Sequence, residues 1–176
     1  MFDPATVFTS TSTLFTLERL GPAQRRTVER HVRRWDAGAR APGGLRRMPG
    51  CLTDVAPVPV YAGAPRPVSG YLADAVARAQ RQFVLLTPDS AVVCVWCRGE
   101  EPVVRSAHYA DISVRRLETD SAGYAGLMAT GLWTPERGAG GREAGPGRRP
   151  AALLLHFGGD APGRSFGAEL GARAGR

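Results

Sequence analysis

The chain has 176 residues and a formal net charge of +7 from 23 basic and 16 acidic side chains, which suits one well-cored domain plus an appendage and excludes two large ones. Every basic residue is an arginine, lysine and asparagine are absent, and isoleucine occurs once, at Ile112; this pattern of GC-rich codon usage weakens the step from positive charge to nucleic acid. No stretch approaches the roughly 18–20 apolar residues that cross a bilayer, and the start, Met1 to Phe8, lacks the basic and apolar form of a secretory signal.

Residues 1 to 13, ending in the hydroxyl run Thr9 to Thr13, read as a poorly ordered lead-in before an apolar helical turn at Leu14, Phe15, Leu17 and Leu20. Pro22 then suits the first position of a helix that runs to about Asp36, with Gly38 as its stop. Val28, Val32 and Trp35 fall at i, i+4 and i+7 and make one apolar stripe. Arg25, Arg26, Arg30, Arg33 and Arg34 take much of the remaining surface, so the helix is amphipathic and basic.

From 38 to 67 the chain is rich in glycine, proline and arginine and reads as a linker holding the domain boundary. Only Val58 to Tyr61 offers a short edge strand there, because proline cannot donate to a central ladder. Residues 71 to 79 fit a helix by their alanines or a first strand by their position.

Phe83 to Cys97 is the clearest signal: two apolar, β-prone runs around Thr87-Pro88-Asp89-Ser90 predict a buried antiparallel hairpin. Further strands are expected at 103 to 109, 111 to 117, 126 to 133 and 151 to 157, with a disordered loop from 134 to 150. A closing helix from Pro162 to Arg173 carries Phe166 and Leu170 one turn apart, able to plug an apolar opening, although Gly163, Gly167 and Gly171 weaken it.

Two motifs imitate catalytic or metal sites. Cys94-Val-Trp-Cys97 has redox and zinc spacing, yet in a strand residues three apart point to opposite faces. The one other cysteine is Cys51, and His108 and His156 stand isolated, so no metal or other cofactor is expected. Three cysteines in a chain of this size fit a reducing compartment, and a cytoplasmic location is expected. Gly163-Arg-Ser165-Phe-Gly167 matches a nucleophile elbow, and a small serine hydrolase using Ser165 is the least favoured function. The serine comes well after Phe157, and no histidine follows it. Asp160 and Pro162 read as helix-start residues, and Glu100-Glu101 as solvated turn carboxylates.

The basic segment is the best functional candidate by elimination. Between Arg25 and Arg47 eight arginines face only Glu29 and Asp36, a local excess of six out of the net +7. Arg25, Arg26, Arg30, Arg33, Arg34, Arg46 and Arg47 form the candidate anionic-binding surface. Trp35 is the one aromatic there and belongs to the apolar stripe, so no base-stacking platform is present.

The order of short strands, long loop and closing helix resembles the bacterial pleckstrin-homology-like domains. The resemblance covers about residues 57 to 173 and rests on Phe83 to Thr87, Val92 to Trp96, Asp111 to Val114, Leu153 to Phe157, and Phe166 with Leu170. It implies an α+β fold, a small antiparallel β-barrel or sandwich with a C-terminal capping helix, and a binding or assembly role with no particular residue as a site. The expected organisation is an N-terminal helical region (1 to 37), a linker (38 to 67) and a β-rich domain (68 to 176). The expected function is a non-enzymatic module that docks to a protein partner or an anionic membrane surface through the basic helix. The alternative is a nucleic-acid-associated protein using the same arginines.

Overall fold

Residues 8–36, 44–57, 80–118, 125–135, 147–157 and 159–174 are described by a computed structural model of the chain. In chain order the elements are β1 (Phe8–Thr16), a 3-10 turn (Leu17–Arg19), α1 (Pro22–Trp35), α2 (Gly44–Arg47), β2 (Pro49–Pro57), β3 (Gln80–Leu86), β4 (Ser90–Cys97) and β5 (Val103–His108). A second 3-10 turn (Tyr109–Asp111) leads into β6 (Ile112–Glu118), β7 (Ala125–Trp133), β8 (Arg149–His156) and α3 (Ala161–Arg173). The strands form two antiparallel sheets, β1-β2-β3-β4-β5 and β6-β7-β8.

The hairpin expected at Phe83 to Cys97 is present, with Leu86 opposite Ala91 and the turn closed by Thr87 N–H to Ser90 O at 3.0 Å. Its apolar residues run continuously because both faces of the large sheet are covered. One face of the sheet presents Phe83, Leu85, Val92 and Cys94 to Val28 and Val32 of α1. The other presents Cys51, Val84, Leu86 and Val93 to Trp133 and Leu155 of the small sheet and to Phe166 and Leu170 of α3. The result is a layered α+β sandwich with a C-terminal helix, and among the described residues the two sheets do not close into one barrel.

Local chemistry explains the helices. A helix of 14 residues is marginal in isolation, so α1 depends on Val28 and Val32, which it buries completely or nearly so. In α3 three glycines cost about 1 kcal/mol each. Burial of Phe166 and Leu170 contributes roughly 1.5–3 kcal/mol apiece and offsets that cost, as their plugging role requires. Asp160 starts α3 by accepting the Gly163 N–H at 2.9 Å.

Two segments differ from the sequence expectation. Phe8–Thr16, read mostly as a loose lead-in, is the edge strand β1, and Leu17–Arg19 is the short helical turn after it. Pro49–Pro57, read as linker, is β2, paired with β1 on one side and β3 on the other, and Gly44–Arg47 forms the short α2. The physical reason is an alternation of Cys51, Thr53 and Val55, buried toward the core, with Leu52 and Asp54. Ser12 and Thr53 face each other across the strands and share a hydroxyl hydrogen bond at 2.9 Å. The expected strand at Val58 to Tyr61, the ambiguous segment 71 to 79 and the centre of the 134 to 150 loop lie outside the described residues. Arg149 and Pro150, assigned to that loop, begin β8.

Among the described residues hydrogen bonds link the two sheets at two corners. At one corner Thr134 N–H donates to Ser106 O at 2.9 Å and Ser106 N–H to Thr134 Oγ1 at 2.8 Å. At the other, Gln82 of β3 donates from Nε2 to Leu154 O at 3.1 Å and accepts the His156 N–H on Oε1 at 2.7 Å. Where β6 meets β7 the backbones are so close that a Cβ at Gly131 would lie 2.0 Å from Asp111 O, and its φ of +156° also favours glycine.

Candidate functional site

The basic helix takes the orientation its stripe requires. Val28 and Val32 are buried against the large sheet, and Trp35 is half-buried. Arg26, Arg30 and Arg33 fall at i, i+4 and i+7 on the opposite side, and Arg34 extends the same surface; all four are exposed. Arg34 also lies over the ring of Trp35, 5.6 Å from its centroid.

The other candidate arginines separate from this face. Arg25 is half-buried and donates from Nη1 to Glu18 O at 3.2 Å. Arg46 on α2 is ion-paired through Nε to Glu29 of α1 at 2.7 Å, a contact worth at most about 1 kcal/mol in solvent. Arg47 is exposed beside it. The structure thus brings Arg26, Arg30, Arg33 and Arg34 onto one face and uses Arg25 and Arg46 to tie neighbouring segments together.

The helix is pinned at two further points that the sequence did not announce. His31 is half-buried, with Nε2 3.0 Å from Ser106 Oγ on β5 and 3.3 Å from Thr134 Oγ1. Asp36, at the helix end, is buried, and its Oδ2 accepts the Thr87 hydroxyl at 2.9 Å. The same hydroxyl lies 3.0 Å from Ser90 O and accepts the Ser90 N–H at 3.0 Å.

Thr87 is therefore a hub. Its carbonyl accepts Tyr109 Oη–H at 2.8 Å and Arg173 Nη1–H at 3.1 Å, so the β3–β4 turn holds α1, the β5–β6 corner and α3 together. Burial pushes the Tyr109 hydroxyl up to about 12, against the opposing hydrogen bond from Arg173. Arg148 is ion-paired to Asp111 at 3.5 Å, and burial lowers its pKa. These groups brace the fold around one turn.

The imitated motifs are separated by the same geometry. Cys94 is fully buried on the α1 side of β4, where burial pushes its thiol up to about 12. Cys97 lies on the opposite face and is half-buried. Cys51 is buried as well, with its pKa raised by burial against hydrogen bonds from Ser12 and Thr53. Ser165 sits exposed inside α3, not at a strand-to-helix turn. His108 Nδ1 faces Ser90 Oγ at 3.0 Å. His156 is buried, which lowers its pKa to about 4.

Gln82 is the residue that sequence reasoning missed most plainly. The amide directly before the apolar run Phe83 to Leu86 was the available signal. Among the described residues no group of three or more His, Cys, Asp or Glu side chains could hold a metal ion, and no helix is long and apolar enough to cross a membrane. Comparison of the chain with models of protein families, with curated proteins and with solved structures finds no match.

Proposed function

We propose that the protein is a non-enzymatic docking module whose α1 face, Arg26, Arg30, Arg33 and Arg34, binds an anionic surface. The observation that carries this reading is the packing of α1, which buries its apolar stripe and leaves four arginines exposed together. Guanidinium groups suit phosphate and carboxylate acceptors through paired N–H donors. No large apolar residue accompanies them on that face, so attachment is peripheral and electrostatic.

The pleckstrin-homology-like reading is supported by the arrangement of β2 to β5 against β6 to β8, with Phe166 and Leu170 of α3 entering between the sheets. In that reading β1 and α1 are additions to the module, and α1 supplies the contact surface.

Cosedimentation with vesicles tests the proposal. Capture by vesicles containing an anionic phospholipid, but not by wholly zwitterionic ones, supports a membrane surface. Capture by neither, together with tight and salt-steep binding to duplexes of unrelated sequence, moves the function to nucleic acid.

A further inference from the structure

Three short elements cover the outer face of the large sheet, and their apolar residues belong to one cluster. Leu17 and Leu20 come from the 3-10 turn after β1, Val28 and Val32 from α1, and Leu45 and Met48 from α2 and the residue after it. All pack with Phe83, Leu85, Val92 and Cys94 of β3 and β4. Polar contacts tie the elements side by side. Arg25 of α1 donates to Glu18 O in the 3-10 turn, and Arg46 of α2 pairs with Glu29 of α1. Arg25 and Glu29 are one helical turn apart, so both neighbours lie along the same flank of α1, and they also touch each other. The opposite flank is where His31 meets Ser106 of β5. The result is one layer with an apolar underside.

Helix geometry sets what the upper side carries. Arg47 follows Leu45 by two residues, about 200° round α2, so it is directed away from the cluster as Arg30 is relative to Val28. Arg19 follows the buried Leu17 by the same interval, and its guanidinium lies 4.5 Å from the centroid of Phe15, a ring packed against the same cluster. That stacking holds the group on the α1 side of the sheet and leaves its in-plane N–H donors available. Arg19 and Arg47 are both exposed, and among the described residues no carboxylate is ion-paired to either. Glu18 is the exposed carboxylate of the layer, since Glu29 is half-buried against Arg46 and Asp36 is buried.

We infer that the whole layer contacts an anionic phospholipid bilayer, with Arg19 and Arg47 as contact residues beyond α1. The contact is off-centre, extending from α1 over the 3-10 turn and α2 and away from β5. A broad cationic surface with its apolar residues turned inward matches a plane of anionic headgroups. This inference rests on the anionic-surface reading of α1.

Cosedimentation of single variants with mixed phosphatidylserine and phosphatidylcholine vesicles at low salt tests it. Arg19→Gln and Arg47→Gln should each weaken partitioning about fivefold, the factor for one basic residue held at an anionic surface. Glu18→Gln should strengthen partitioning by a similar factor. Arg19→Lys keeps the charge and should partition as the wild type does, which separates charge from any effect on folding. Arg115, exposed on β6 of the small sheet, supplies the control: Arg115→Gln changes the net charge equally and should leave partitioning unchanged. Binding that falls when the four α1 arginines are replaced, but is unchanged in Arg19→Gln or in Arg47→Gln, would overturn the inference and leave α1 alone as the contact. An equal loss in Arg115→Gln would also overturn it, by making net charge the determinant. No capture of the wild type by these vesicles would remove the α1 reading and this inference with it.

Discussion

The backbone N–H of Ser12 donates to Asp160 Oδ2 at 2.7 Å, while Oδ1 of the same carboxylate accepts the N–H of Gly163. One side chain thereby closes part of the outer edge of β1 and starts α3. An N-cap of this kind contributes about 1 kcal/mol, within a range of roughly 0.5–2. Asp160→Ala should lower stability to urea by about 1–2 kcal/mol and speed hydrogen exchange at Ser12. Unchanged exchange at Ser12 would show that the carboxylate does not hold the edge.

Leu170→Ala should cost about 2–5 kcal/mol and Phe166→Ala about 3–5, because both side chains are buried between the sheets. Gly171→Ala tests the helix itself. Nothing lies within 4 Å of the added Cβ, so it should stabilise the chain by up to about 1 kcal/mol. Urea titration of the three variants measures both directions.

Native thiol labelling separates the cysteines. Cys94 is buried with its thiol pushed up to about 12, and Cys51 is buried too, so both should resist a disulfide reagent until the chain unfolds. Cys97 should react in the folded state, and Cys97→Ser should abolish that reaction. Rapid labelling of Cys94 in the native protein would contradict its placement beneath α1.

His156 sets a pH dependence. Burial lowers its pKa from 6.5 to about 4, so between these values the unfolded chain takes up a proton that the folded chain does not. Acid therefore favours unfolding: this contribution to stability is complete above about pH 6.5 and is lost progressively toward pH 4. The interval corresponds to about 3 kcal/mol. His156→Leu should flatten the urea-stability profile across this window by an amount of that order. An unchanged profile would mean that His156 is not buried in the neutral form.

The legible parts of the fold were those in which one physical signal dominated. Pro22 with the stripe Val28, Val32 and Trp35 marked α1, and the apolar runs around Thr87 marked the central hairpin. Phe166 and Leu170 marked the plug. By contrast, β1 hid behind its hydroxyls, because the benefit of Ser12 appears only when Thr53 lies opposite it and Asp160 beside it. Strand β2 hid between prolines, although Cys51, Thr53 and Val55 alternate with more exposed neighbours. For the candidate site, the periodicity of α1 was enough to place Arg26, Arg30, Arg33 and Arg34 outward. The roles of Arg46 against Glu29 and of Asp36 against Thr87 depend on contacts 17 and 51 residues apart in sequence, which no local pattern encodes.

The central claim is that the outward arginines of α1 bind an anionic surface, and its most direct measurement is vesicle partitioning of the wild type against Arg26→Gln/Arg30→Gln/Arg33→Gln/Arg34→Gln. Each arginine near an anionic membrane contributes about 1 kcal/mol, so the fourfold variant should partition two to three orders of magnitude more weakly, a difference of roughly 3–4 kcal/mol. Its stability should change little, by about 0.5–1 kcal/mol for the lost Arg34–Trp35 contact, because none of the four side chains is buried. Equal partitioning of the two proteins into phosphatidylserine vesicles at low salt would contradict the account.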